Sequence, residues 1–168
     1  MIRLVLNCVI AAVCVLLLAS CQTMVRSPRF KLALHQVVSD AERDNAGSSL
    51  IVRVRSIDGS KERMIRSFPM IDSRYIVKID VLRQNDGRRA ALKIYFDSFA
   101  EGIWSEVHAY AHKTEVAIIV DGFLSGFMVL PKELDEGHIL VTDPIWSLAE
   151  ARLIAENARR NYEVINKR

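Results

Sequence analysis

Cysteine is nearly missing from this chain: there are three in 168 residues, Cys8, Cys14 and Cys21, and none beyond. The body after position 21 therefore has no disulfide framework, no thiolate metal cluster and no cysteine nucleophile. Glycine and proline are sparse as well, at 7 and 4. No Gly-rich phosphate loop is present, and Leu124-Ser125-Gly126 lacks the first glycine of a Gly-x-Ser-x-Gly elbow. Charge of one sign is not concentrated anywhere. The chain carries 23 basic and 20 acidic side chains, a net +3, interleaved as in Lys61-Glu62-Arg63 or Arg152 with Glu156. Nucleic-acid recognition needs a basic face, and none is legible. Repeats and low-complexity tracts are absent too.

What is present begins with a leader. Met1-Ile2-Arg3 is a short positive start, and Leu4 to Leu18 is apolar apart from Asn7. As a helix that run reaches only about 22 Å, against a hydrocarbon core of about 30 Å, which marks a signal peptide rather than a span. It closes on Leu18-Ala19-Ser20-Cys21, which resembles the lipobox of bacterial lipoproteins. That resemblance implies a signal peptide over 1–20 and a lipidated N-terminal Cys21. Small residues suit the peptidase cleft, and the thiol accepts a diacylglyceryl group. Gln22 is not the aspartate that resembles an inner-membrane retention signal. In a cell with two membranes the expected address is the outer membrane, facing the periplasm.

Residues 21–29 read as a tether, and 30–168 as one α+β domain with an antiparallel-rich mixed sheet and two main helices. The organising stretch is Glu115 to Leu130. Val116 to Val120 is an unbroken, β-branched apolar run suited to a strand buried on both faces. Asp121-Gly122 supplies a tight turn, and Phe123 to Leu130 returns. Further strands are expected near Phe30 to His35, Leu50 to Val54, Lys61 to Phe68, Ile76 to Leu82, Ala90 to Phe96 and His138 to Thr142. Asp58-Gly59 and Asn85-Asp86-Gly87 mark turns between them. One helix over Ser98 to His112, capped by Asp97 or Ser98, would bury Phe99, Ile103, Val107 and Tyr110/Ala111. A second, over Ser147 to Asn166, opens with the capping box Ser147-Leu148-Ala149-Glu150. Its stripe would be Leu148, Ala151, Ala155, Ala158, Tyr162 and Ile165.

Three stretches then resemble the head subdomain of the first periplasmic domain of the protein-export membrane protein SecD, over about 68–160. They are Pro69-Met70-Ile71-Asp72 with the strands up to Ala91-Leu92-Lys93-Ile94-Tyr95-Phe96, the run Val116 to Val120 with Asp121-Gly122, and Ser147-Leu148-Ala149-Glu150-Ala151-Arg152. Where the family places a small residue and proline after the Asp-Gly turn, this chain has Ser125-Gly126-Phe127. The resemblance implies a SecDF periplasmic head-like fold and work near exported polypeptides. It does not imply proton-driven transport, which needs membrane helices.

Candidate chemistry is thin. His108 and His112 are four apart on the first helix, on a stripe shared with Trp104, and close enough for one metal ion with Glu115 or Asp121 as a third ligand. The same spacing describes the solvated flank of an amphipathic helix. Carboxylates at Asp135-Glu136, Glu101/Glu106 and Asp121 are expected on the surface or, for Asp121, in the turn. The expectation is therefore a non-enzymatic, lipid-anchored binding module with no cofactor, no metal and no small-molecule substrate. Its partners would be the membrane, through the Cys21 lipid, and envelope or exported proteins. The alternatives are a metal-dependent hydrolase using His108 and His112, or a structural envelope lipoprotein. Simple alternation along the second hairpin strand groups Phe123, Ser125, Phe127 and Val129 on one face and Leu124, Gly126, Met128 and Leu130 on the other. Both faces are apolar. Either both are covered, or Phe127 and Met128 form a partner-binding surface.

Overall fold

The computed structural model describes residues 27–39, 50–84, 87–110, 115–129, 137–142 and 146–167, with the side chains of 108–110 excepted. The leader, Cys21 and residues 22–26 of the tether lie outside the described residues. So do the polar segment 40–49, Asn85 and Asp86. The elements, in chain order, are β1 (Leu32–Gln36), β2 (Ile51–Arg55), β3 (Glu62–Arg66), β4 (Ile71–Asp72), β5 (Ile76–Arg83) and β6 (Ala90–Phe96). They continue with α1 (Ser98–Tyr110), β7 (Glu115–Val120), β8 (Phe123–Val129), β9 (His138–Val141) and α2 (Leu148–Asn166). The fold is α+β, as expected. The strands form three sheets rather than one, ordered β4-β1-β7-β8, β2-β3 and β5-β6-β9. All their ladders are antiparallel.

β7 lies between β1 and β8 and is buried on both faces, which is why its sequence does not alternate. Val116 and Ile118 point into the main core. There they meet Leu34 of β1, Leu92 and Ile94 of β6, Trp104 of α1 and Ile154 of α2. Ala117 and Ile119 point the other way, into a smaller core with Ile65 and Leu124. The turn into β8 has Asp121 at φ +48° and Gly122 at φ +90°. Two consecutive left-handed residues are the geometry of a hairpin turn that matches strand twist.

Beyond the turn, simple alternation fails. Gly126 pairs with Ile118 and Leu124 with Ile119, leaving Ser125 as the extra residue of a β-bulge. The bulge moves Leu124 onto the same face as Phe127, and puts Phe123 with Met128. Phe127 packs against the smaller core and Met128 against the main one, each half-buried. Along the middle of β8 the cover is therefore partial: Leu124 is buried, while Phe127 and Met128 each keep part of the side chain open.

The N-terminal hairpin supplies the cover on one side. The Val37–Ile65 bridge and the Val38 N–H to Met64 carbonyl bond at 2.9 Å join β1 to β3. A parallel bridge from Ser56 to Leu124 joins the end of β2 to β8. With the ladders, these contacts close a ring, β1–β7–β8–β2–β3, around the smaller core.

Both helices are rotated from the expected phase. In α1, Ala100 and Trp104 are buried, while Phe99 is 62% exposed and stacks on Tyr75 at 5.2 Å. Trp104 offers more apolar area than Phe99 and stacks on Phe96 at 5.7 Å, so it takes the core position instead of a flank. The Asp97 carboxylate caps this helix through the Ala100 N–H at 2.9 Å. In α2 the capping box forms as expected, but the buried line is Ala151, Ile154, Ala158 and Asn161. Ala155 lies on its half-buried flank. The line turns because Asn161 has a partner inside: its Nδ2 donates to the Arg29 carbonyl at 2.7 Å.

Ala151 is fully buried where α2 meets the core. Ala151→Leu is expected to overpack that contact and cost about 1–3 kcal/mol. Ala155→Leu, on the flank, is expected to cost distinctly less. Urea denaturation of the two variants checks the order, and equal losses would place the packed face wrongly.

Candidate functional site

An open groove of about 780 Å³ lies at the start of β1. Its floor is Ala33, His35 and Ile119, and its walls include Lys31, Pro69, Ser73, Arg74, Asp121 and Gly122. Ala33 and Ile119 are cross-strand partners that also touch the smaller core, so the groove opens at one end of the five-strand ring.

Apart from Lys31, the polar side chains of this groove are committed to the fold. Asp121, expected in the turn, reaches across ninety positions of sequence. Its carboxylate accepts the Phe30 N–H at 2.9 Å and the Lys31 N–H at 2.8 Å, and its own N–H donates to the Lys31 carbonyl at 2.9 Å. Phe30 has φ +51°, a left-handed conformation that these bonds hold in place. The Ser73 hydroxyl accepts the Leu32 N–H at 2.9 Å and donates to the Leu32 carbonyl at 3.1 Å, extending β4's pairing by a side chain. Asp72 holds Arg74 with two forked contacts of 2.8 and 3.0 Å, which raises the guanidinium's pKa.

His35 is the buried titratable group of the site, 8% exposed. Its Nδ1 is 2.8 Å from the Arg66 carbonyl, an acceptor, so Nδ1 carries the proton and Nε2 is bare in the neutral ring. Burial lowers its pKa below 6.5, and this outweighs the Arg66 carbonyl and the Asp72 charge, which both raise it.

A smaller cavity of about 260 Å³ lies between the β2–β3 turn and the start of α2, lined by Ser56, Asp58, Lys61, Ser125, Trp146 and Glu150. Its acids are also engaged. Asp58 accepts from the Ser56 hydroxyl and from the Ser60 hydroxyl and N–H, which hold its pKa down at about 2. Glu150 closes the capping box.

Most of the remaining sequence candidates lie outside the described residues or on the surface. His112, Asp135 and Glu136 lie outside the described residues, and the His108 side chain is not described. Glu101 and Glu106 are exposed on α1. Among the described residues no three His, Cys, Asp or Glu side chains come together as a metal cage. Phe127 and Met128 point to opposite sides of β8, and the Arg63 guanidinium lies over the Phe127 ring at 5.1 Å. The Asp121 clasp had no sequence signal beyond the Asp-Gly pair, because its partners are backbone groups far away in the chain.

The His35 shift predicts a pH dependence. A base whose folded pKa is depressed leaves the unfolded chain binding more protons below that chain's own value. Stability should therefore be full above about pH 6.5, fall as pH drops through that region, and level off below the folded pKa. His35→Gln keeps a donor for the Arg66 carbonyl without titrating. Urea midpoints at about pH 8 and about pH 5 should drop less for this variant than for the native chain. Parallel drops would remove His35 as the source.

No family model matches the chain, and no curated protein sequence matches it. Solved structures do. One, described as "Structure and function of a membrane component SecDF that enhances protein export", aligns with a TM-score of 0.55 at 16% identity. It covers 79% of this chain, which spans 63% of that one. A second, of SecDF in a super-membrane-facing form, gives 0.55 at 15% identity over 79% of this chain and 19% of that one. The chain thus spans less than two thirds of either, and what it shares with them is the fold.

Proposed function

We propose that this chain is a lipid-anchored module of the cell envelope, facing the periplasm. It works by contact with exported or envelope proteins, in an accessory role related to protein export, and it is not an enzyme. The SecDF-like fold is the observation that carries this reading, because the similar protein is described as enhancing protein export. Leu18-Ala19-Ser20-Cys21 supports the anchor. A single acyl chain holds a protein only marginally at about 0.8 kcal/mol per buried CH₂, whereas the several chains of a lipidated cysteine hold it firmly. A role by contact rather than catalysis is supported by the groove, whose Asp121, Asp72, Ser73 and His35 are all taken up by structural bonds.

The contact residue we favour is Phe127. Its ring is half-buried, rests on the smaller core and carries Arg63 across it. An anchored aromatic ring with an arginine stacked over it has the composition of an interface hot spot. Met128, packed on the main core, would hold the strand in place beneath the partner.

A photoreactive phenylalanine analogue at position 127 keeps the ring and tests the contact inside cells. Adducts with exported or envelope polypeptides are expected, and they should diminish in Cys21→Ser, which cannot be acylated. If position 127 yields no adduct, the contact assignment fails. If mass spectrometry finds an unmodified Cys21 at the mature N-terminus, the anchor fails.

A further inference from the structure

We infer that the end of the five-strand ring where the tether joins is a membrane-contact face, seated on the headgroup layer of a bilayer containing anionic lipid. This rests on the lipid anchor proposed above and adds to it a fixed orientation.

Strand direction assembles the face. β1, β8 and β2 start at this end of the ring, and β7 and β3 finish there, because every ladder is antiparallel and the β2–β8 bridge is parallel. The residues at these strand ends include large apolar side chains left open: Phe123 at 51%, Phe68 at 74% and Leu50 at 43% exposed. Leu50 and Ser67 are joined by a backbone bond of 2.9 Å, so Leu50 and Phe68 belong to one rim. Cations accompany them. Arg29 and Lys31 are exposed and make no ion pair among the described residues. Asp121, the acid beside them, is occupied by the Phe30 and Lys31 N–H groups. Exposed aromatics with unpaired basic residues suit the membrane interface, where rings sit at headgroup level and cations meet lipid phosphates.

The tether decides which end faces the bilayer. Residues 21–29 reach at most about 32 Å when fully extended. Their last residues are clasped twice, by Asn161 on the Arg29 carbonyl at 2.7 Å and by Asp121 on the next two N–H groups. With its attachment point held by both α2 and the β7–β8 turn, the chain enters the domain at this rim. The lipid draws this rim, rather than the opposite one, towards the membrane.

The acylated mature protein, reconstituted into phosphatidylethanolamine and phosphatidylglycerol vesicles with brominated acyl chains, tests this. Phe123→Trp and Phe68→Trp place an indole reporter on the rim. Leu140→Trp and Val129→Trp place one on β9, outside the ring, and at the far end of β8, at positions that are 48% and 65% exposed. The native Trp104 and Trp146 are buried and give a constant background. At an interfacial depth of about 5–10 Å, the reporters at positions 123 and 68 should lose on the order of half their emission to bromine, while the two control positions change little. Equal quenching at all four positions overturns the inference, as does none at positions 123 and 68. A reporter at position 123 that is shielded from acrylamide but untouched by bromolipid overturns it in favour of a protein partner or a second copy. Mass spectrometry of the same sample separates the two proposals. An acylated Cys21 with an unquenched reporter at position 123 refutes the contact face alone, and an unacylated Cys21 refutes the anchor and the face with it.

Discussion

The constraint on which the rest of the molecule depends is that β7 is buried on both faces. A strand in that position must satisfy its backbone through neighbours on each edge and its side chains through a layer on each face. β1 and β8 supply the edges. The main core covers Val116 and Ile118, and the β2–β3 hairpin covers Ala117 and Ile119. Ala117 is small where the hairpin closes in, and the branched residues point mainly to the larger core. The hairpin is thus required: without it, one face of β7 and the inner side of Leu124 would be open to water. The energetic scale of that exposure is about 1.5–3 kcal/mol for each large aliphatic side chain.

Polar groups set the register of this arrangement rather than its bulk stability. Four of them span long stretches of chain: Asp121 to Phe30 and Lys31, Ser73 to Leu32, His35 to Arg66, and Asn161 to Arg29. Three of the four act on residues 29–32, where the chain enters β1. An edge-of-domain segment ordinarily frays, and here it is stitched from three directions. The net worth of each bond is modest, about 1 kcal/mol. Their shared effect is to give the beginning of the domain one position and one direction.

What was legible in the sequence follows from the range of each interaction. The β7 run, the Asp-Gly turn, the Asp97 cap and the Ser147–Glu150 capping box depend on residues a few positions apart, and each appears where expected. The helix phases differ from expectation because apolar periodicity alone cannot choose between Phe99 and Trp104, nor anticipate that Asn161 has a carbonyl to meet inside. Alternation on β8 breaks at Ser125 because a bulge is a property of two strands, and only the pairing with Ile118 and Ile119 reveals it. The ring is invisible in the sequence for the same reason. It closes through isolated bridges that leave no pattern in either partner. As for the site, the sequence pointed to Asp121 and Phe127 but to neither of their partners, the β1 backbone and Arg63.

These pieces bear jointly on how such a fold could serve next to a membrane. No helix among the described residues is long and apolar enough to cross a bilayer. In the proposed arrangement, orientation is supplied instead by the clasped start of β1. Phe123 begins β8 at the tether end, and Phe127 lies four residues further along the same strand. At about 3.3 Å per residue that separates them by roughly 13 Å, directed away from the tether. The Ser125 bulge between them turns the two rings to opposite faces of the sheet. A surface that settles on lipid through Phe123 therefore holds Phe127 and Arg63 clear of the headgroups. One short strand would then link the membrane-facing end of the domain to the surface offered to a passing polypeptide.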